Sequence, residues 1–191
     1  MAKEGKSYVL TDEESIVFCN FIRTERHPER NLAIYELTRR AGLRIGEVSK
    51  LKLSDVLDTE GEIKTVATLG SSITKGGKVR EAYFTSPALR SALSNYLSVR
   101  PKYKNDALFI NQKGNPFDGN TLSRAINRLY RKAGFQDATS HGGRRGAASS
   151  LLSKGLDIVS LSRFLGHKDI KTTQEYIEID QSKLMKAVQV V

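Results

Sequence analysis

A mainly helical α+β domain with a small three-stranded antiparallel sheet is predicted by three features of the chain. Segments on both sides of residues 62–85 repeat apolar residues at helical spacing, whereas 62–85 itself is β-prone and broken by Gly70 and the Gly76-Gly77 pair. At 191 residues with 39% hydrophobic content, the chain is long enough for one well-packed core. No internal repeat, low-complexity tract or evident linker interrupts it, so a single domain over 1–191 is expected.

The first helix is predicted over 12–24, where Thr11 is an N-cap followed by Asp12, Glu13 and Glu14, and Val17/Phe21 with Phe18/Ile22 form a helical stripe. Residues 30–41 repeat the helical period and stop near Gly42, and 44–51 reads as a short helix with Arg44 at its start. Three β-prone runs follow, EIKTVATL, SSITK and KVREAYFT, which give the three strands and put Lys75 at a hairpin tip. Helical patterns return at 87–99, at 119–133 after the turn Lys113-Gly114-Asn115-Pro116, at 144–154 and at 157–165, with Gly166 as the C-cap of the last. A short helix over 170–179 carries Tyr176, and 180–191 makes a final amphipathic tail helix.

Composition narrows the function. The chain has 31 Lys and Arg against 21 Asp and Glu, a net charge of +10 that favours polyanionic partners such as nucleic acid. Cys19 lies within the apolar run Ile16, Val17, Phe18, Phe21, Ile22, which predicts a buried core thiol in a reducing compartment. Three histidines and one cysteine offer no metal-ligand spacing, so no metal is expected. No apolar stretch approaches the ~20 residues that span a bilayer, and MAKEGKSYVLTDEE carries no hydrophobic signal segment. A cytoplasmic protein without membrane association is expected.

Four separated pieces supply phosphate-handling groups: Arg44 in AGLRIGEV, Lys75 in TKGGKVR, His141 and Arg144 in SHGGRR, and His167 with Tyr176 in LGHKDIKTTQEY. Each alone also fits a structural role. Arg44 has Glu47 three residues on as a salt-bridge partner, Lys75 suits a charged turn, and His167 suits a helix C-terminus. His141 and Arg144 share a face if a helix opens there, and Gly142-Gly143 between them leaves room for a DNA backbone.

In order and context these residues resemble the tyrosine recombinase (phage integrase) family, whose signature runs Arg, Lys, His-x-x-Arg, His or Trp, Tyr. The stretches AGLRIGEVSKLKLSDV, TKGGKVREAYF and SHGGRRGAASSLLSKGLDIVSLSRFLGHKDIKTTQEYI look like its boxes, over about 10–179. The resemblance implies the family's catalytic-domain fold and a cofactor-free enzyme of site-specific DNA recombination and integration, acting through a covalent 3′-phosphotyrosine. It assigns the scissile phosphate to Arg44 and Arg144, whose planar forks suit its non-bridging oxygens. Tyr176 is then the nucleophile, His141 its base, Lys75 the acid for the departing 5′-oxygen, and His167 a hydrogen-bond donor to a phosphate oxygen. Double-stranded DNA is the implied partner, with a homo-tetramer on DNA, a monomer possible when free, and the tail helix exchanged between protomers.

The chain departs from the family in two ways. The second box is usually His-x-Leu-Arg-His-Thr, and here Gly143, Arg145 and Gly146 replace Leu, His and Thr. Few residues precede the catalytic region, so the amino-terminal core-binding domain of most members is expected to be absent, as in an excised domain or a short single-domain member. Two rivals are a helix-turn-helix regulator, offering Lys168, Lys171, Thr172, Thr173 and Gln174 to a DNA groove, and a type IB topoisomerase.

Overall fold

In the computed structural model, which describes residues 7–74, 77–102 and 105–176, the first helix is well capped. Helix α1 (Asp12–Thr24) starts at Thr11 in a capping box: the Glu14 amide donates to Thr11 Oγ1 at 3.2 Å and the Thr11 amide to Glu14 Oε2 at 2.9 Å. Its inner face buries Phe18 and Ile22. Helix α2 (Pro28–Arg40) starts two residues earlier than its apolar period suggests, because Pro28 supplies a pre-set first helical residue. It ends where Gly42 turns the chain at φ +63°.

Phe18 stacks on Tyr130 at 4.2 Å and meets Tyr35 edge-on at 5.0 Å, so aromatic rings from three helices fill the core centre. Helix α3 (Ile45–Val48) is shorter than its predicted span, and a single turn, α4 (Leu53–Val56), follows it. Cys19, expected inside the core, sits half-buried at its margin with Sγ 3.8 Å from Glu36 Oε1.

Among the described residues the sheet has two strands, not three: β1 (Val66–Leu69) pairs antiparallel with β2 (Arg80–Tyr83), Val66 opposite Tyr83 and Leu69 opposite Arg80. Where the middle strand SSITK is expected, residues 71–74 form a turn. Ile73 and Thr74 both donate their amides to Gly70 O, and Thr74 Oγ1 donates to Lys78 O at 2.6 Å, so these groups are satisfied without a ladder. Lys75 and Gly76, the expected hairpin tip, lie outside the described residues, as does the 180–191 tail.

Helix α5 (Pro87–Val99) packs against α2 and is anchored by Tyr96, whose hydroxyl donates to Leu108 O at 2.9 Å while its ring stacks on Phe109. Helix α6 (Gly119–Lys132) is capped by Asp118, which accepts from the Thr121 amide at 2.9 Å. Helices α7 (Gly142–Ser153) and α8 (Ile158–Leu165) close a second, smaller apolar cluster around Ala148, Leu161 and Leu165. After the left-handed cap Gly166, one turn, α9 (Lys171–Gln174), leads to Tyr176.

The Gly142-Gly143 pair, expected to face DNA, packs inward instead. A Cβ on Gly143 would overlap Thr38 Oγ1 of α2, one on Gly142 would come within 2.7 Å of Tyr8 O, and one on Gly146 within 2.7 Å of Arg39 Nη1. The small residues that interrupt the second box therefore let α7 lie close on α2. Among the described residues, no helix is long and apolar enough to cross a membrane.

Candidate active site

The first guanidinium is placed by a helix start. Arg44 is the residue before α3, its amide donates to Glu47 Oε2 at 2.8 Å, and its Nη1 donates to Glu47 Oε1 at 2.9 Å. The salt bridge suggested by sequence spacing thus exists, and it aims a side chain still 25% exposed along the cleft wall.

Glu47 itself is buried and accepts a second guanidinium, Arg80 Nη2 of β2, at 2.6 Å. Burial opposes its ionisation, but the Arg80 charge and the hydrogen bonds from Arg44 and Arg80 outweigh that and hold its carboxyl below the usual range. Arg80 also donates from Nη1 to Phe164 O at 3.0 Å, tying the sheet to α8.

Arg144, in the first turn of α7, is buried. Its Nη1 donates to Gly42 O at 2.5 Å and its Nη2 to Leu165 O at 2.7 Å. Leu165 O is the last carbonyl of α8, where backbone acceptors lack intrahelical donors, and Gly42 O lies just past the end of α2. The same Nη2 lies 3.0 Å from His167 Nε2. Burial and then the Arg44 charge push Arg144 down to about 9, so it stays cationic at neutral pH.

His167 follows the Gly166 cap, its amide donating to Ser162 O at 3.0 Å. Its Nδ1 is 2.8 Å from Thr173 Oγ1. Burial, then the charges of Arg144, Arg44 and Arg80, push its pKa down to about 4, so the imidazole is neutral at physiological pH. Its ring lies nearly parallel to that of Tyr176, with centroids 6.1 Å apart. The Arg145 guanidinium carbon stands 5.9 Å from the Tyr176 ring centroid, so at the second-box position where the resemblance expects His this chain puts a cation beside the tyrosine. His141 is the exposed N-cap residue of α7, with no capping hydrogen bond from its side chain.

One cleft of about 1030 Å³ is lined by Arg44, His141, Arg144, His167 and Tyr176 together. Lys75, the sixth candidate, lies outside the described residues, and Lys78, three positions on, lines the same cleft. Three guanidiniums, from Arg44, Arg80 and Arg144, gather around a single buried carboxylate, which leaves surplus positive charge for a phosphate. The helix-turn-helix alternative fails on geometry: α9 is one turn long, and Thr173 is buried against His167 rather than offered outward.

Two participants were not singled out from sequence. Arg80 had a signal, since strand alternation puts it on the same inward face as Ala82, where a charge demands a partner. Thr173 was named only as a groove contact of the helix-turn-helix alternative, and nothing in the sequence pointed to a contact with His167.

A helical domain with this cleft has the fold of recombinase catalytic domains. It is similar to XerA recombinase (28% identity, TM-score 0.78, covering 98% of this chain and 66% of that one). It is also similar to the XerH site-specific recombinase solved on its difH substrate (26% identity, TM-score 0.73, 99% and 56%). The chain belongs to the phage integrase family, whose model matches residues 8–183. Among relatives, tyrosine recombinase XerC of Corynebacterium glutamicum is 32% identical over 160 residues, 83% of this chain and 49% of that protein. XerC of Methylobacterium nodulans is 34% identical over 161 residues, 83% and 48%. The chain spans about half the length of the curated relatives it matches.

Proposed function

We propose that the chain is the catalytic part of a site-specific DNA recombinase that cleaves and rejoins strands through a 3′-phosphotyrosine at Tyr176. The observation that carries this reading is the lining of one cleft by Arg44, His141, Arg144, His167 and Tyr176, contributed by distant parts of the sequence.

On this reading a DNA phosphate enters the cleft with its non-bridging oxygens toward Arg44 and Arg144. The guanidiniums stabilise the extra charge of the five-coordinate transition state in a partly dry site. The Tyr176 oxygen bonds to phosphorus, its proton passes to His141, and the bond from phosphorus to the 5′-oxygen breaks. That oxygen takes a proton from Lys75. Because one phosphate ester replaces another, a second DNA 5′-hydroxyl reverses the step and regenerates the tyrosine without an external energy source. Double-stranded DNA is the substrate, a homo-tetramer on DNA the working assembly, and the cytoplasm the location.

The test is a suicide substrate whose nicked strand diffuses away after cleavage and traps the covalent product. Wild type should yield an adduct mapping to Tyr176, and Tyr176→Phe should bind DNA with unchanged affinity yet yield none. An adduct on another residue, or one formed by the Phe variant, would overturn the assignment.

A further inference from the structure

We propose that Arg145 is a positioning residue for the nucleophile, its guanidinium holding the Tyr176 ring in the cleft by a cation–π contact. The inference deepens the cleavage reading and rests on it for its kinetic consequence.

The first turn of α7 carries two guanidiniums with separate partners. Consecutive residues of a helix point about 100° apart, so Arg144 and Arg145 leave it in different directions. Arg144 donates to Gly42 O and Leu165 O, whereas Arg145 reaches over the Tyr176 ring, its guanidinium carbon 5.9 Å from the ring centroid. That separation is within the ~6 Å at which a cation is attracted to the electron-rich face of an aromatic ring. Both arginines line the same cleft.

Hydrogen bonding does not account for where Arg145 lies. Its Nε is buried without a hydrogen-bond partner among the described residues, and none of the ion pairs formed by those residues includes it. A buried donor without a partner calls for an explanation. The aromatic face supplies one, since a planar, weakly hydrated cation is stabilised there by the ring's charge distribution rather than by a lone pair.

Tyr176 needs such a hold. It follows α9, a single turn, and its amide donates to Thr173 O at 3.1 Å, which fixes the backbone there but not the direction of the ring. The ring packs on the cluster of Ala148, Leu161 and Leu165, lies nearly parallel to the His167 ring, and meets the Arg145 cation. Because Arg145 adjoins Arg144, one turn of α7 sets the nucleophile's ring relative to the guanidinium that receives the phosphate. Arg145 touches no reacting atom and acts through the ring.

Nuclear magnetic resonance on the DNA-free protein reads the contact, and cleavage kinetics read its consequence. In wild type the Arg145 side-chain protons, identified by their loss in Arg145→Gln, should be displaced upfield by the Tyr176 ring and should return to ordinary positions in Tyr176→Leu. In single-turnover cleavage of the suicide substrate at saturating DNA, Arg145→Gln should be slower by about 10-fold, the scale of one lost cation–π contact. Arg145→Lys, which returns a cation to the ring face, should recover to within about 3-fold of wild type. A nucleophile supplied from solution separates this role from a phosphate contact. In Tyr176→Phe, hydrogen peroxide attacks the same phosphorus in place of the phenol, and adding Arg145→Gln should leave that peroxide-driven rate unchanged. An equal loss with peroxide would make Arg145 a phosphate ligand and overturn the proposal, as would undisplaced Arg145 signals in wild type. Displaced signals without any covalent adduct in wild type would instead sink the cleavage reading and leave the contact standing.

Discussion

Arg144 combines structural and chemical duties in one guanidinium, and these separate in experiment. Its two carbonyl partners, Gly42 O and Leu165 O, belong to segments far apart in the chain, and both are left short of a buried donor if the side chain is removed. Arg144→Ala should therefore lose about 2–4 kcal/mol of stability, the cost of two buried acceptors without partners. Arg44 is part-exposed, and its partner Glu47 keeps Arg80 when Arg44 is gone. Arg44→Ala should accordingly lose no more than about 1 kcal/mol. Both variants should cut single-turnover cleavage far more than they weaken DNA binding, because the charge they stabilise develops in the transition state. Urea unfolding with parallel rate and affinity measurements checks the split, and equal stability losses would contradict the burial argument. Arg44, His141, Arg144, His167 and Tyr176 were legible in sequence as an ordered set. Arg80 and Thr173 were not, because what distinguishes them is a partner brought near by folding: Glu47 for one, His167 for the other.

At the level of elements, the site depends on how closely α7 lies on α2, since that contact sets where Arg144 begins. The Thr38 hydroxyl donates to Tyr35 O at 2.7 Å, so it has a fixed place in the wall that Gly143 faces. Gly143→Ala should destabilise the fold by about 1–3 kcal/mol through overpacking, although alanine is the better helix former by about 1 kcal/mol. Adding Thr38→Ala should recover part of that loss in thermal unfolding, because the overlapping atom is then gone. Additive losses in the double variant would mean that the two helices do not meet through this pair. The elements best read from sequence were those with their own punctuation. Helix α1 has the Thr11 and Glu14 box, and α8 has Asp157 before it and Gly166 after it. The third strand was misread because its β-branched residues satisfy local turn bonds to Gly70 O instead of a ladder. The turn α4 went unread because four residues are too few to show a period.

For the whole molecule, the net charge of +10 implied a polyanionic partner without saying where it would lie. The structure gives that charge a place, since Lys50, Lys78, Arg145 and Lys168 line the same cleft as Arg44 and Arg144. If DNA binds there, cations that neutralise phosphates release counterions, and affinity must fall steeply with salt. Engagement of about 4–6 phosphates would lower affinity by about 10²–10³-fold between about 50 and 200 mM salt, following a slope near −0.9 per phosphate. Fluorescence anisotropy with duplex DNA measures this slope directly. Lys168→Met should flatten it by about one unit, because it removes one rim cation that takes no part in the proposed chemistry. Its cleavage rate at saturating DNA should stay at the wild-type value, since binding lost equally from ground and transition states leaves the chemical step alone. A slope near zero in wild type would show that the basic cleft does not grip the DNA backbone. A Lys168→Met rate loss at saturation would show instead that the rim and the reacting phosphate are coupled, and that charge steering and catalysis in this cleft are one function.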